Sequence, residues 1–266
     1  MEYRNLDNSG LKVSAVGLGG NNFGWWADEA ASIPVIHRAI ELGINFIDTA
    51  DVYDRGHSEE YIGKAIKEKR AGLVIATKFA HPMGQDPNDR GGSRHYVIQA
   101  LEASLRRLQT DYVDLYQMHT TDSTTPIEET LRTLDDLIRD GKVRYVGCSN
   151  FTAWQLCEAL LTSKSLNLNA FVSVQPMYNI LNRQIERELV PCCQQYGVGI
   201  IPYSPPASGF LTGKYRKGDD GPEGARLSGD NPRFSGIFTK ENWTRLAKLE
   251  TFAKERGHSG GELAIA

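Results

Sequence analysis

Seven short apolar runs recur along the chain, and most give way to a polar side chain as they end: AVGLGG, NFIDTA, LVIATK, VDLYQMH, VRYVGCS, AFVSVQ and GIIPYS. Segments long enough for amphipathic helices separate them. Parallel strands need crossover connections of about a dozen residues or more, so this alternation indicates βαβ units and a parallel sheet. Two arrangements satisfy it, a doubly wound sheet and a closed (β/α)8 barrel. The first turn, AVGLGGNNFG, is glycine-rich but lacks the G-x-G-x-x-G that leads straight into a helix, so a Rossmann start is poorly supported. Ahead of it, YRNLDNSGLKVS reads as a small hairpin turning at Asn8-Ser9-Gly10, placed to plug the base of a barrel. No linker or second domain is visible, and residues 1–266 read as a single domain.

The clearest helix is TPIEETLRTLDDLIRDG. Thr125 is the expected N-cap, Pro126 suits the first helical position and Glu128 completes a capping box. Ile127, Leu131, Leu134 and Ile138 repeat at helical spacing, and Gly141 falls where a left-handed terminating residue belongs. After Ser93, the residues Val97, Leu101, Leu105 and Leu108 form a similar stripe.

The residues that finish the strands carry the chemistry. They are Asp48, Lys78, His119, Ser149 with Asn150, Gln175, and Tyr203 with Ser204, separated by 26 to 41 residues along the chain, about one βα unit each. In a parallel barrel the C-terminal strand ends converge on one face, where active sites are built. Any one of these side chains could cap a turn or satisfy a core; the whole series at one level is harder to explain that way. Tyr53 lies in the loop after Asp48. A phenol with an ordinary pKa near ~10 is a poor acid at neutrality, and an ammonium beside it favours the phenolate. Lys78 can supply that ammonium, Asp48 can hold it in place, and His119 can hydrogen-bond a substrate oxygen. The set suits proton donation to a carbonyl oxygen while another species attacks the carbon. With no nucleophile elbow, catalytic carboxylate pair or metal cluster in the sequence, that species is expected to be a cofactor hydride.

Composition excludes other classes. The formal net charge is -3, and the basic stretches IKEKR and SLRRL read as solvated helix faces without aromatic interleaving, so no nucleic-acid partner is expected. No apolar run approaches the ~18 residues of a membrane span, and no signal core follows the N-terminus. Cys148, Cys157, Cys192 and Cys193 show no metal-ligand spacing, which suggests a reduced, cytoplasmic protein without a structural metal.

The stretch GINFIDTADVYDRGHSEEYIGKAI resembles the long signature of the aldo-keto reductase family, with Gly43, Asp48, Thr49, Ala50, Tyr53, Glu59 or Glu60, and Gly63 in step. VIATK resembles its lysine strand, YVDLYQMH its histidine strand, VRYVGCSNF and VSVQPMYN its nicotinamide-holding strand ends, and YSPPASGFLTGKY its seventh-strand cofactor loop. The likeness runs from about Val16 to the last residue. It implies a (β/α)8 TIM barrel that reduces aldehydes or ketones with NADPH, and a catalytic tetrad of Asp48, Tyr53, Lys78 and His119. It further implies that Ser149, Asn150 and Gln175 bind the nicotinamide carboxamide and that Tyr203 stacks on the ring. Ser204, Pro205, Ala207, Ser208 and Lys214 would follow the pyrophosphate, with Arg226 nearby. Gly20 and Asn21 are expected to approach the cofactor. Trp25 and Trp26 are candidate walls of a pocket for apolar carbonyl substrates, and His81 a candidate at its mouth; His57 and His95 are expected at the surface.

Two features depart from the family pattern. Pro206 stands where leucine is common, stiffening the loop and removing a backbone donor. The chain ends at GELAIA, where the family pattern continues into an eighth strand, a loop that grips the adenosine 2'-phosphate and a closing helix. The resemblance therefore implies a barrel whose final strand and helix are missing from this chain. It also admits a second reading, a cofactor-binding redox sensor similar to the potassium-channel β subunits; those subunits carry a different residue at the position of His119.

Overall fold

A computed structural model describes residues 1–218, 221–222, 225–227 and 236–266. The chain forms two compact units, Met1–Gln175 with Glu188–Ile201, and Pro176–Arg187 with Pro202–Ala266.

The first unit opens with the expected hairpin, β1 (Tyr3–Asn5) paired antiparallel with β2 (Lys12–Ser14), Tyr3 opposite Ser14. Then come β3 (Leu18–Gly19), α1 (Glu29–Glu41), β4 (Phe46–Asp48), α2 (His57–Ile66), β5 (Val74–Phe79) and α3 (Arg94–Leu108). They are followed by β6 (Val113–Met118), α4 (Ile127–Arg139), β7 (Val143–Ser149), α5 (Ala153–Ser165), β8 (Ser173–Gln175), α6 (Leu189–Tyr196) and β9 (Gly199–Ile200). Strands β3 to β9 form one all-parallel sheet in chain order. This is the strand order of a (β/α)8 barrel, with seven of its strands among the described residues, and it excludes the doubly wound alternative, whose order reverses at a switch point. Covered on both faces, β5 is buried at every residue, which is why VIATKF reads as a continuous run instead of an alternation.

The hairpin does plug the strand N-terminal end: Leu6 and Val13 cluster with Phe46, Val74, Ala76 and Leu115. Helix α3 starts as expected, Ser93 accepting from the Tyr96 backbone N–H, and buries Val97, Leu101, Leu105 and Leu108. Helix α4 begins one residue later than its sequence suggests, with Pro126 as N-cap and no side-chain cap. The Thr125 hydroxyl donates instead to Asp122, whose carboxylate also gathers Thr124 and the Gly92 N–H. The inward stripe of α4 closes on Leu137, with Ile138 only partly buried, and Gly141 takes the expected left-handed conformation at φ 75. The basic stretches are not purely solvated faces. Arg70 donates to the Leu73 and Tyr112 carbonyls, and Arg107 turns inward to the fully buried Glu59. Helix α2 can approach α3 because Gly63 has no side chain: a Cβ there would lie 2.5 Å from the Arg107 carbonyl oxygen.

The second unit contains α7 (Lys240–Glu255), capped by Thr239, and the short α8 (Gly260–Ile265), capped by Ser259. Its core gathers Ala207, Phe210, Leu211, Tyr215, Leu227 and Leu246. Among the described residues no helix is long and apolar enough to cross a membrane, and no group of three or more His, Cys, Asp or Glu could hold a metal ion.

Candidate active site

Sheet register steps the polar strand ends of the first unit upward, each next one two residues further along its strand, from Asp48 through Lys78 to His119. Asp48 pairs with Ala76, Lys78 with Gln117, and Ser149 with Gln175. Lys78 is fully buried and its Nζ meets three oxygens: Asp48 Oδ2 at 2.6 Å, the Thr49 carbonyl at 2.8 Å and Tyr53 Oη at 3.3 Å. Burial works against the ammonium, yet the Asp48 carboxylate and the Tyr53 phenol outweigh it and hold the Lys78 pKa above its ordinary value. The carboxylate thus favours the ammonium form in contact with a phenol. Asp48 divides its work: Oδ2 takes the ammonium, and Oδ1 accepts from Gln117 Nε2 at 2.9 Å and Gln175 Nε2 at 2.8 Å.

Tyr53 reaches Lys78 from a tightly folded loop. Asp54 and Arg55 sit in the left-handed region at φ 45 and 55, and Gly56 at φ 100. Successive left-handed residues other than glycine cost energy, so surrounding contacts must hold this turn. His57 Nδ1 bonds Asp54 Oδ2 at 3.0 Å, and a Cβ on Gly24 would lie 2.4 Å from the same oxygen, so the loop after β3 packs directly on the tyrosine loop. That contact puts the Trp25 ring 6.1 Å from the Tyr53 ring, with Trp26 5.8 Å beyond Trp25; both tryptophans are exposed. Gly20 is buried, its carbonyl accepting from Ser58 Oγ at 2.9 Å, with the partly buried Asn21 following in the same turn.

His119 lies edge-on to Tyr53 with ring centroids 5.7 Å apart, and His81 packs against it at 4.5 Å. Burial first, then the Lys78 ammonium and His81, push the His119 pKa down to about 2. The imidazole is neutral at every physiological pH and can serve as a hydrogen-bonding group but not as a cation. His57 and His95 are both exposed.

Ser149, Asn150 and Gln175 form one bonded group. Ser149 Oγ donates to the Gln175 carbonyl at 2.7 Å, the Asn150 N–H donates to it at 3.1 Å, and Asn150 Nδ2 reaches the His119 carbonyl at 3.0 Å. Asn150 is left-handed at φ 59. In the second unit, Tyr203 bridges to Met177 and its N–H donates to the Pro176 carbonyl. The next segment holds Ser204, Ala207, Ser208 and Gly209 at φ 56, 49, 58 and 92, with Pro205 and Pro206 between them. Pro206 keeps its carbonyl in use, accepting from the Gly209 and Leu211 N–H groups. Lys214 Nζ lies 5.3 Å from the Tyr215 ring, and Arg226 is partly buried.

Two buried residues near this site, Gln117 and Asp51, escaped the sequence reading, and a third, Glu59, entered it only as part of the signature. Gln117 is an amide in an apolar strand, two positions before His119, and that polarity was its signal. Glu59 accepts from Thr77 Oγ1 at 2.5 Å and Arg107 Nε at 2.6 Å. Asp51, three residues beyond Asp48, is buried, and burial together with the Glu59 charge raises its pKa to about 8.

A model of the Aldo/keto reductase family matches residues 15–266. A probable voltage-gated potassium channel subunit beta from Oryza sativa subsp. japonica is 37% identical over 273 residues, covering 100% of this chain and 83% of that protein. Aldo-keto reductase YhdN of Bacillus subtilis is 36% identical over 272 residues, covering 100% of this chain and 80% of its own length. Versiconal hemiacetal acetate reductase of Aspergillus parasiticus is 39% identical over 237 residues, covering 79% of this chain and 69% of that enzyme.

Proposed function

Because the chain belongs to the aldo/keto reductase family, we propose that it is an NADPH-dependent oxidoreductase that reduces aldehydes or ketones to alcohols, with Tyr53 as the proton donor. The observation that carries this reading is the Lys78 ammonium in contact with both Asp48 Oδ2 and Tyr53 Oη. An ammonium at that distance stabilises a phenolate relative to a phenol, so Tyr53 yields its hydrogen to a carbonyl oxygen more readily than an isolated phenol does. Asp48 keeps the ammonium from wandering. His119, being neutral, donates an N–H to the same carbonyl oxygen without competing as an acid, the role of an oxyanion-hole donor. Trp25, Trp26 and His81 are the proposed walls of the substrate pocket, aromatic surfaces suited to an apolar carbonyl compound.

The residues present fit a nicotinamide dinucleotide. Ser149, Asn150 and Gln175 offer hydroxyl and amide groups that match a carboxamide, and the loop after Tyr203 offers the Ser204 and Ser208 hydroxyls to a phosphate, its Ala207 and Gly209 N–H groups being taken by the Ser204 and Pro206 carbonyls. Pro205, Lys214 and Arg226 are assigned to the same phosphate path, Tyr203 to the ring, and Gly20 and Asn21 to the approach from the first strand. When bound, NADPH supplies a hydride to the carbonyl carbon.

A second reading is a cofactor-binding regulatory subunit with little turnover, favoured by the whole-chain likeness to channel β subunits. The presence of His119 against Tyr53 argues for the enzyme. Purified protein mixed with NADPH and para-nitrobenzaldehyde is expected to consume the reduced cofactor, seen as loss of its near-ultraviolet absorbance. Tight binding of NADPH with no consumption at high protein concentration would favour the regulatory reading.

A further inference from the structure

Gln117 has no role in the assignments above, yet it is fully buried at the centre of the polar cluster. It is the register partner of Lys78 between β5 and β6. Its Nε2 lies 2.9 Å from Asp48 Oδ1; Gln175 Nε2 lies 2.8 Å from the same oxygen and 3.5 Å from Gln117 Oε1. An ionised carboxylate only accepts hydrogen bonds, so both amides must present their NH2 groups to it. This requirement settles both amide orientations. Gln117 Oε1 then takes the second Gln175 hydrogen, and Gln175 Oε1 is left as the atom able to accept from a ligand N–H. An amide buried in an apolar strand is costly unless its polar atoms find partners, so packing alone does not explain glutamine at this position.

We propose that Gln117 is a positioning residue for the cofactor: with Gln175 Nε2 anchored on Asp48, Gln117 Oε1 takes its second hydrogen and fixes the plane of the amide, so that Gln175 Oε1 accepts from the NH2 of the nicotinamide carboxamide. The same contact keeps Asp48 Oδ1 occupied and Oδ2 committed to Lys78, joining cofactor orientation to the proton-donating machinery through one carboxylate. Without Gln117 the Gln175 amide keeps only its Asp48 anchor, and its plane can rotate about that single hydrogen bond, carrying Oε1 away from the ligand. The inference rests on the reductase reading, which requires the nicotinamide at these strand ends.

The test compares binding of NADP+ and its 3-acetylpyridine analogue, which lacks the carboxamide NH2, by quenching of tryptophan fluorescence. One hydrogen bond of ordinary strength predicts that wild type prefers NADP+ by about fivefold. Gln117→Met, which keeps length and volume but not the amide, is expected to lower that preference below about twofold. A merely structural role would weaken both ligands equally and leave the preference at its wild-type value, which would overturn the inference. Gln117→Leu, which likewise lacks the accepting oxygen, gives a second route to the same readout if the methionine variant folds poorly. Wild type that binds neither dinucleotide would sink the reductase reading and this inference with it. Binding and discrimination by wild type, undiminished in both variants, would sink the inference alone.

Discussion

Replacing Asp51 with asparagine is expected to stabilise this protein, and to do so more strongly as pH rises. Asp51 is buried beside the ionised pair of Glu59 and Arg107, and burial followed by the Glu59 charge raises its pKa from 3.8 to about 8. Geometry agrees that the group is protonated. Tyr96 Oη stands 3.2 Å from Asp51 Oδ2 and 3.1 Å from the His81 carbonyl, two oxygens that compete for its one hydrogen. A carboxylic acid that donates to the phenol resolves the conflict, leaving the phenol free to donate to the carbonyl. The sign follows from linkage. The folded chain holds a proton that the unfolded chain gives up above 3.8, so stability falls as pH rises from there to about 8 and levels off beyond it. At 1.36 kcal/mol per unit, the interval up to pH 7 corresponds to at most about 4 kcal/mol. Asparagine keeps the shape, donates to the phenol and never ionises. Urea midpoints followed by tryptophan fluorescence should differ little between wild type and Asp51→Asn near pH ~4, and the variant should gain ~2–4 kcal/mol by pH ~7. A difference independent of pH, or a variant less stable than wild type throughout, would refute a neutral buried Asp51.

The neutrality of His119 makes a second prediction. The rate of carbonyl reduction should show no inflection in the range where an ordinary imidazole titrates, near pH ~6.5, because its pKa is pushed down to about 2. His119→Ala should lower kcat/KM by about a hundredfold, the loss of one preorganised donor, and an inflection near pH ~6.5 that vanishes in the alanine variant would contradict this. Glu59→Ala should destabilise the fold by about 3 kcal/mol, since it strands Arg107 and Thr77 without their shared acceptor; thermal unfolding reads this directly, and an unchanged midpoint would mean that the pair contributes nothing.

Much of this arrangement was legible because its signals are local. The apolar runs marked all seven parallel strands, Ser93 and Gly141 marked the start of α3 and the end of α4, and Asn8-Ser9-Gly10 marked the hairpin. The strand-end acids, bases and amides could be grouped because parallel strands all end on the same face. What stayed hidden depends on partners far away in sequence. Thr125 looks like a cap until Asp122 competes for its hydroxyl. Glu59 and Arg107 lie 48 residues apart, and each alone resembles a solvated helix residue. Gln117 and Gln175 converge on one carboxylate from 69 and 127 residues away, a meeting that no periodicity announces.

The central claim is that Tyr53 is the proton donor, made so by Lys78. Tyr53→Phe deletes one oxygen and keeps the ring that packs against Trp25 and His119. Measured side by side, carbonyl reduction should fall by about a thousandfold, while NADPH binding by fluorescence titration stays within about twofold of wild type. Reduction that persists at near wild-type rate, with binding equally intact, would contradict the assignment.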